Sequence, residues 1–472
     1  MKKIKNPVGL LIVLLIVALS CKDPKNEKAG EDQKAETYVK QDENDTCLAD
    51  STWFHVDPVS GKRKTPAPME DSTSVFGNNA TVSNCDFHQW SWQKFLWLTN
   101  DVSGHPLFLD SLFQVSTQTV RIPTTDRKIV LTSADKNQAT GDILNTNKTF
   151  SSNTTSYPVY YSIHVNETLY NSIWKYAKMN KNDYITATFP VGSLELKIAW
   201  VNANAIQDTS SYFVTDAVVE GKDIKIALLG MHVVGIVYNH PEFVWATFEH
   251  NDLVPYYDWE ATTTSDVPVT SKTNKLLFNS NATATIANIT SNAPNADSTN
   301  VFAVNQYGVP RQPGNTFLAT SQEEPANYNN IDAINKDVHA QLTDIWKNYF
   351  YNGSIWIDTE NYDYPAQQAQ LLVSLGDSLS YPAPGKLPRG SVAAYNITME
   401  TYEQLGFTAT SIHDQNVAGM GNCFSCHSAS RGSSLTISHI FNGAVDHQNN
   451  LTTKQTKQKH LKEIKAFIQK MK

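Results

Sequence analysis

The chain has 472 residues, 40% of them hydrophobic, with a formal net charge of −8 and a pI near 5.9. That acidic balance, without any block of Lys and Arg interleaved with aromatics, argues against a nucleic-acid partner. Twenty tyrosines and ten tryptophans on an ordinary apolar background supply enough side chains for a large core.

Met1 to Lys5 is basic, and Pro7 to Leu19 is a short apolar run ending at Ser20-Cys21. This is the pattern of a secretory signal, too short for a spanning helix. Val17-Ala18-Leu19-Ser20-Cys21 resembles a bacterial lipobox, with Ala18 where leucine is usual, so Cys21 is the expected lipidated residue. The charged stretch from Lys22 to Asp45 then reads as a tether holding a soluble body off a membrane. Cys47 and Cys85 are available for one disulfide, which an exported compartment permits.

His88 to Leu98 places apolar residues at near-helical spacing, predicting a buried helix whose tryptophans belong to the core or line a cofactor pocket. Ser116 to Ser156, rich in Thr, Ser, Asn and Asp, reads as loops with at most one short hairpin. From Asp183 to Pro255 the period becomes two: Leu194, Leu196, Ile198 and Trp200 share one strand face, Glu195 and Lys197 the other. Asp223 to Tyr238 and Phe243 to His250 are two more strands around the turn signal Asn239-His240-Pro241, predicting an antiparallel hairpin. An even pairing sum puts His232 and His250 on one face, and an odd sum puts His232 with Glu249. Candidate roles for His232, Glu249, His250 and Asp252 are a haem ligand, a distal acid/base pair, a small metal site or a hydrogen-bonded strand end.

Trp259 to Asn300 is a low-complexity run of Thr, Ser, Asn and Ala, read as a surface insertion or edge strands. Ile331, Ile334, Val338, Leu342, Ile345, Trp346 and Tyr349 predict an amphipathic helix capped by Asn330 or an earlier Asn. A Pro/Gly-rich loop from Tyr381 to Gly390 leads to the last segment. There Leu461, Ile464, Phe467, Ile468 and Met471 form one face of a terminal helix carrying seven lysines between Lys454 and Lys472. That basic patch either steers acidic redox partners or is a solvated helix end.

Cys423-Phe424-Ser425-Cys426-His427 has the spacing of covalent haem c attachment: two thiols one helical turn apart for the two vinyl groups, and an adjacent imidazole for the iron. A zinc knuckle needs four ligands, and a thioredoxin-like pair needs a βαβ context. One covalent haem c held by Cys423, Cys426 and His427 is therefore expected. Only 45 residues follow His427, too few to close a haem pocket, so the opposite ligand is sought elsewhere. Met399 is the first candidate and His439 the second; Met420, His447, His460 and Met471 are further from what that role requires.

Several stretches together resemble a group of largely uncharacterised, exported bacterial monohaem c-type cytochromes. They are Trp92 to Leu98, Leu194 to Trp200, Leu229-Gly230-Met231-His232-Val233-Val234, Trp245 to Asp252, Asn396-Ile397-Thr398-Met399-Glu400-Thr401-Tyr402 and the CxxCH itself. The resemblance implies a haem and an exported location and supplies no reaction. Ser438-His439-Ile440-Phe441 departs from it, since an apolar residue is expected at 439.

The expected fold is α+β: a β-rich antiparallel body with packed helices and a small helical C-terminal haem-binding segment. The expected divisions are a signal peptide at 1–20, a lipidated tether at 21–50, the body at 51–385 and the haem segment with its terminal helix at 386–472. Three functions fit. The first is electron transfer at the cell envelope by a lipid-anchored cytochrome, with a redox partner protein. The second is a haem oxidoreductase of peroxidase or oxygenase type acting on a small molecule at an open distal site. The third is an envelope binding or sensory lipoprotein.

Overall fold

A computed structural model describes residues 46–78, 81–124, 126–131, 145–147, 150, 155–253, 273–277, 325–357, 366–375, 388–390, 396–399, 423–429, 432–451, 462, 464–466 and 469. The expected signal segment, Cys21 and most of the tether lie outside the described residues. So do nearly all of the low-complexity run, Met420, Tyr402, His460 and most of the terminal helix.

The protein is α+β, built on one nine-stranded sheet. Its strands are β1 (Phe113–Val115), β2 (Ile129–Leu131), β3 (Val159–Val165), β4 (Leu194–Asn202), β5 (Val214–Val219), β6 (Lys222–Val237), β7 (His240–His250), β8 (Tyr349–Ile357) and β9 (Pro388–Gly390). The main path runs β9-β8-β7-β6-β4-β3-β1, antiparallel throughout. The strand β5 pairs with the first part of β6, and β2 pairs with β5 in parallel. Two of these strands lie where loops were expected. Ile129–Leu131 is apolar enough to bury beside β5, and Pro388–Gly390 pairs with the end of β8 at the sheet edge, where proline's missing N–H costs nothing.

Helix α1 (Asn84–Leu98) opens on a capping box in which Ser83 and Asp86 satisfy each other's terminal groups. Helices α2 (Glu167–Ala177) and α3 (Pro325–Gln341) also flank the body. The helix α3 starts at Pro325, a favoured first helical residue, so Asn330 lies inside it and donates from its side chain to Asn84 of α1.

The period-two pattern of the strands sends alternate side chains to opposite faces. On one face Leu196, Ile198, Trp200, Met231, Val233, Ala246, Phe248, Tyr351 and Trp356 meet Phe87, Trp92 and Phe95 of α1 and Ile331, Ile334 and Val338 of α3. Phe95 stacks on Phe248 at 4.1 Å and Phe87 on Trp356 at 4.0 Å. Each such fully buried ring contributes roughly 1.5–3 kcal/mol. Asn335 ties the layers, accepting from Trp92 Nε1 at 3.0 Å and donating to the Tyr351 carbonyl at 2.8 Å. The tryptophans of α1 are thus core.

Cys47 and Cys85 form a disulfide that pins the start of the described chain to α1. Their separation of 38 residues corresponds to about 4 kcal/mol of loop-closure entropy. Replacing both by alanine is expected to lower the unfolding free energy by about that amount in denaturant titration. An unchanged midpoint would show that the bridge does not constrain the unfolded chain.

Candidate functional site

The second face of the sheet carries the chemistry. The hairpin β6–β7 turns at Tyr238 and Asn239, with Asn239 in the left-handed region at φ 65°. A bulge at Pro241 to Phe243 then inserts two extra residues on β7, which keeps the pairing odd: His232 lies opposite Thr247, and Gly230 opposite Glu249. His232 and Glu249 therefore share a face, and His250 goes to the other.

This separates the candidates. His250 is buried, stacked on Tyr212 at 3.6 Å, with Nε2 directed at the Ser211 carbonyl and Nδ1 accepting from Asp252 N–H. Desolvation pushes its pKa down to about 4, so at neutral pH it is an uncharged member of a strand end. Among the described residues no three His, Cys, Asp or Glu side chains are gathered closely enough to hold a metal ion. The small metal site considered for His232, Glu249, His250 and Asp252 is not assembled, because the register puts the two histidines on opposite faces.

Glu249 is a docking residue in this structure. Its carboxylate accepts from Ile397 N–H, while Asn396 Nδ2 donates to Thr247 Oγ1 at 3.2 Å and to the Phe248 carbonyl at 3.1 Å. Tyr161 donates to the Thr398 carbonyl. A Cβ on Gly230 would stand 2.6 Å from Asn396 Nδ2, so the strand has to be glycine where the turn lands. Three stretches that carried the resemblance, around Gly230, around Thr247 to Glu249 and at Asn396 to Met399, thus meet at one place. The turn seats Met399, fully buried, with Ile397 among Val159, Tyr161, Ala199, Val201, Ala227 and Leu229.

The C-terminal segment lies on the same face, farther along the strands. It comprises the single turn α4 (Cys423–Cys426), the 3-10 turn Ser434–Ile437 and α5 (His439–Asn450). Phe424, Leu435, Ile437, Ile440 and Phe441 pack with Val234, Ile236, Phe243, Ile355 and Ile357. Helix α5 fits the expected helical character of the C-terminal segment, although its bounds were not given by the polar sequence His439 to Asn450, which contains Gly443. That glycine allows the helix to approach the Thr117 carbonyl, which an added Cβ would meet at 2.0 Å.

Between these two apolar clusters a row of register partners crosses the sheet: Ile163, Lys197, His232, Thr247 and Gly353. Lys197 and His232 are partly buried and face the side on which the C-terminal segment sits. The alternation of Glu195 and Lys197 was legible; that their face would be covered rather than solvated was not.

His427 stands beside this row. Its Nδ1 lies 2.9 Å from the Ile437 carbonyl, so Nδ1 carries the proton and donates. Its Nε2 makes no hydrogen bond among the described residues. The imidazole is flanked by Trp245, with ring centroids 4.2 Å apart, and by His439, stacked at 4.0 Å. Burial, with the adjoining His439, Lys197 and His232, holds its pKa well below the ordinary histidine value. A neutral imidazole with Nδ1 tied to a carbonyl and Nε2 left over is the form in which histidine ligates a metal. Cys423 is half-buried on the adjoining turn. Residues sequence reasoning missed are Trp245, whose ring walls His427, and Ile437, whose contribution is a backbone carbonyl that no residue pattern reveals.

Glu195, on the same face as Lys197, is pushed up to about 7 by desolvation, partly offset by the lysine. The folded state therefore keeps this proton to higher pH than the unfolded chain, whose value is near 4.5. Its contribution to stability is full below pH 4.5 and is lost as pH rises to about 7. Glu195→Gln is expected to flatten this part of the stability profile and raise stability at neutral pH, measured by urea unfolding across the range. A slope that survives the substitution would assign it to another group.

No family model, no curated protein and no solved structure matches this chain, so the reading of the site rests on its own geometry.

Proposed function

We propose that the protein is a monohaem c-type cytochrome of the exported bacterial group it resembles, anchored to the cell envelope by a lipid on Cys21, and that it passes electrons to or from a redox partner there. The observation that carries this reading is the state of His427: Nδ1 engaged by the Ile437 carbonyl, Nε2 without a hydrogen bond among the described residues, and the ring held neutral beside the CxxCH turn. The residues fit the group. Cys423 and Cys426 would hold it through thioethers, His427 would ligate the iron, and Trp245 with the flanking apolar cluster would exclude water. Bound haem c supplies a one-electron iron couple.

For the opposite ligand, Met399 is favoured over His439. Met399 belongs to the apolar cluster across the Lys197–His232–Thr247 row from the one beside His427. His439 is stacked against the His427 ring itself and would have to leave that stack to reach the other side. Two strong protein ligands give a closed, electron-shuttling iron, whereas an open iron can activate a small molecule.

A second reading, a haem oxidoreductase with an open distal site, is favoured by one observation. His232 lies on the same face as the CxxCH turn and close enough for its charge to depress the His427 pKa, so an acid/base group is at hand. Glu249, committed to Ile397 N–H, does not supply that role.

Expressed with a cytochrome c maturation system, the chain should carry one covalent haem per molecule on a haem-stained denaturing gel. Cys423→Ser with Cys426→Ser should abolish it. The holoprotein should be low-spin and inert to cyanide and carbon monoxide, and Met399→Ala should convert it to high-spin. An absence of covalent haem refutes the cytochrome, and a wild-type iron that is high-spin and binds carbon monoxide transfers support to the oxidoreductase. Separately, Cys21→Ser should move the protein from the membrane fraction to the soluble exported fraction; unchanged fractionation would remove the lipid anchor.

A further inference from the structure

We propose, on the reading that Cys21 carries a lipid, that a hairpin at residues 55–64 rests on the bilayer and fixes which side of the body faces it. The hairpin pairs Val56 with Arg63, and Lys64 N–H donates to the His55 carbonyl at 2.8 Å. Its tip closes through Gly61 at φ 67°, with Asp57 N–H donating to the Lys62 carbonyl and Gly61 N–H to the Asp57 carbonyl, both at 2.9 Å. At that tip Val59 is 94% exposed, beside exposed Pro58 and Val56. Exposed Lys62 and Lys64 flank these apolar side chains, while the Asp57 carboxylate accepts from the Val59 and Ser60 N–H groups of its own turn. An apolar tip beside lysines is the surface chemistry that fits a layer of anionic lipid headgroups.

Two further observations carry the assignment. The hairpin is fixed at its base, where Arg63 Nε donates to Asp344 Oδ2 at 2.8 Å, Nη1 to the Leu96 carbonyl at 2.6 Å and Nη2 to Thr99 Oγ1 at 3.0 Å. That clamp on the end of α1 presents the apolar tip in one orientation. The chain also enters the body close to the hairpin: Cys47, bridged to α1, is 26 positions after Cys21. Such a length spans at most about 90 Å, which keeps the hairpin at high effective concentration near the membrane, so that a weak contact suffices to orient the body. The orientation bears on electron transfer. Helix α1, which holds the hairpin, covers one face of the sheet, and the CxxCH turn packs on the other. With the tip on the membrane, the haem segment is turned away from it, towards a soluble redox partner and not a membrane-embedded one.

The test uses the full lipidated holoprotein on vesicles of phosphatidylethanolamine and phosphatidylglycerol. With Cys21 lipidated, Cys47 and Cys85 bridged and Cys423 and Cys426 in thioethers, an introduced cysteine is the single free thiol. On the vesicles, a nitroxide on Val59→Cys should become more accessible to oxygen and less accessible to a water-soluble nickel chelate. One on Asn171→Cys, at an exposed position of α2 across the sheet, should change in neither respect. Lys62→Glu with Lys64→Glu should abolish the change at 59 while the lipid keeps the protein on the vesicles. A nitroxide at 59 that stays in water on protein-loaded vesicles overturns this inference alone, and so do equal changes at 59 and 171. Dipolar broadening between nitroxides at 59 in the vesicle-free Cys21→Ser protein overturns it as well, by assigning the tip to a second copy. A chain that never joins the vesicles removes the lipid anchor and this inference together.

Discussion

The register of the β6–β7 hairpin determines which side chains meet the C-terminal segment. Because side chains alternate with a period of two, a slip of one residue would exchange His232, Thr247 and Glu249 for their neighbours across the whole pair. The turn at Tyr238 and Asn239 sets that register, and the bulge that follows preserves it by adding two residues rather than one. Phe243 sits in the bulge at φ 68°, a strained setting for an aromatic residue, and its ring is fully buried with Ile236, Ile355 and Phe441. Packing of that ring holds the backbone there, so the bulge and the docking of the C-terminal segment support each other.

From this register follows an unequal treatment of the two faces. One is a continuous aromatic core closed by α1 and α3. The other is interrupted, with polar side chains in the middle of a sheet whose flanks are apolar. Buried polar groups require partners, and the turn Asn396 to Met399 provides them for Thr247 and Glu249. The stretches from β6, β7 and the turn are parts of this one arrangement: a glycine where the turn lands, a threonine and a glutamate that bind it, and a methionine carried by it.

Much of this was legible in the residues. The alternation in Leu194 to Trp200 gave the two faces of β4, the aromatic spacing of His88 to Leu98 gave α1, and the CxxCH marked the C-terminal segment. The parity of the hairpin was not, because Asn239-His240-Pro241 admits more than one turn and each one-residue choice reverses the faces. The short parallel strand β2 was hidden in a Ser/Thr-rich stretch, since three apolar residues carry no measurable period. The covering of the Glu195 and Lys197 face was hidden as well: alternation says that two faces differ, and only tertiary packing says which of them meets solvent.

The orientation of His427 shows how far the C-terminal segment depends on the body. The carbonyl that fixes Nδ1 belongs to Ile437, at the end of the 3-10 turn Ser434–Ile437. That turn is fastened from outside: Ser433 Oγ donates to the Tyr184 carbonyl at 3.2 Å, and Ser434 Oγ to the Ala187 carbonyl. A few residues on, Thr119 Oγ1 donates to the Ile440 carbonyl at 2.7 Å, and Trp174 of α2 holds the Thr119 carbonyl in turn. Trp245, which walls the imidazole, projects from β7. The CxxCH turn supplies the thiols and the imidazole, but the direction in which Nε2 points is set by contacts with residues of the body far upstream. Cutting the segment away would leave the CxxCH turn without the contacts that orient the His427 imidazole.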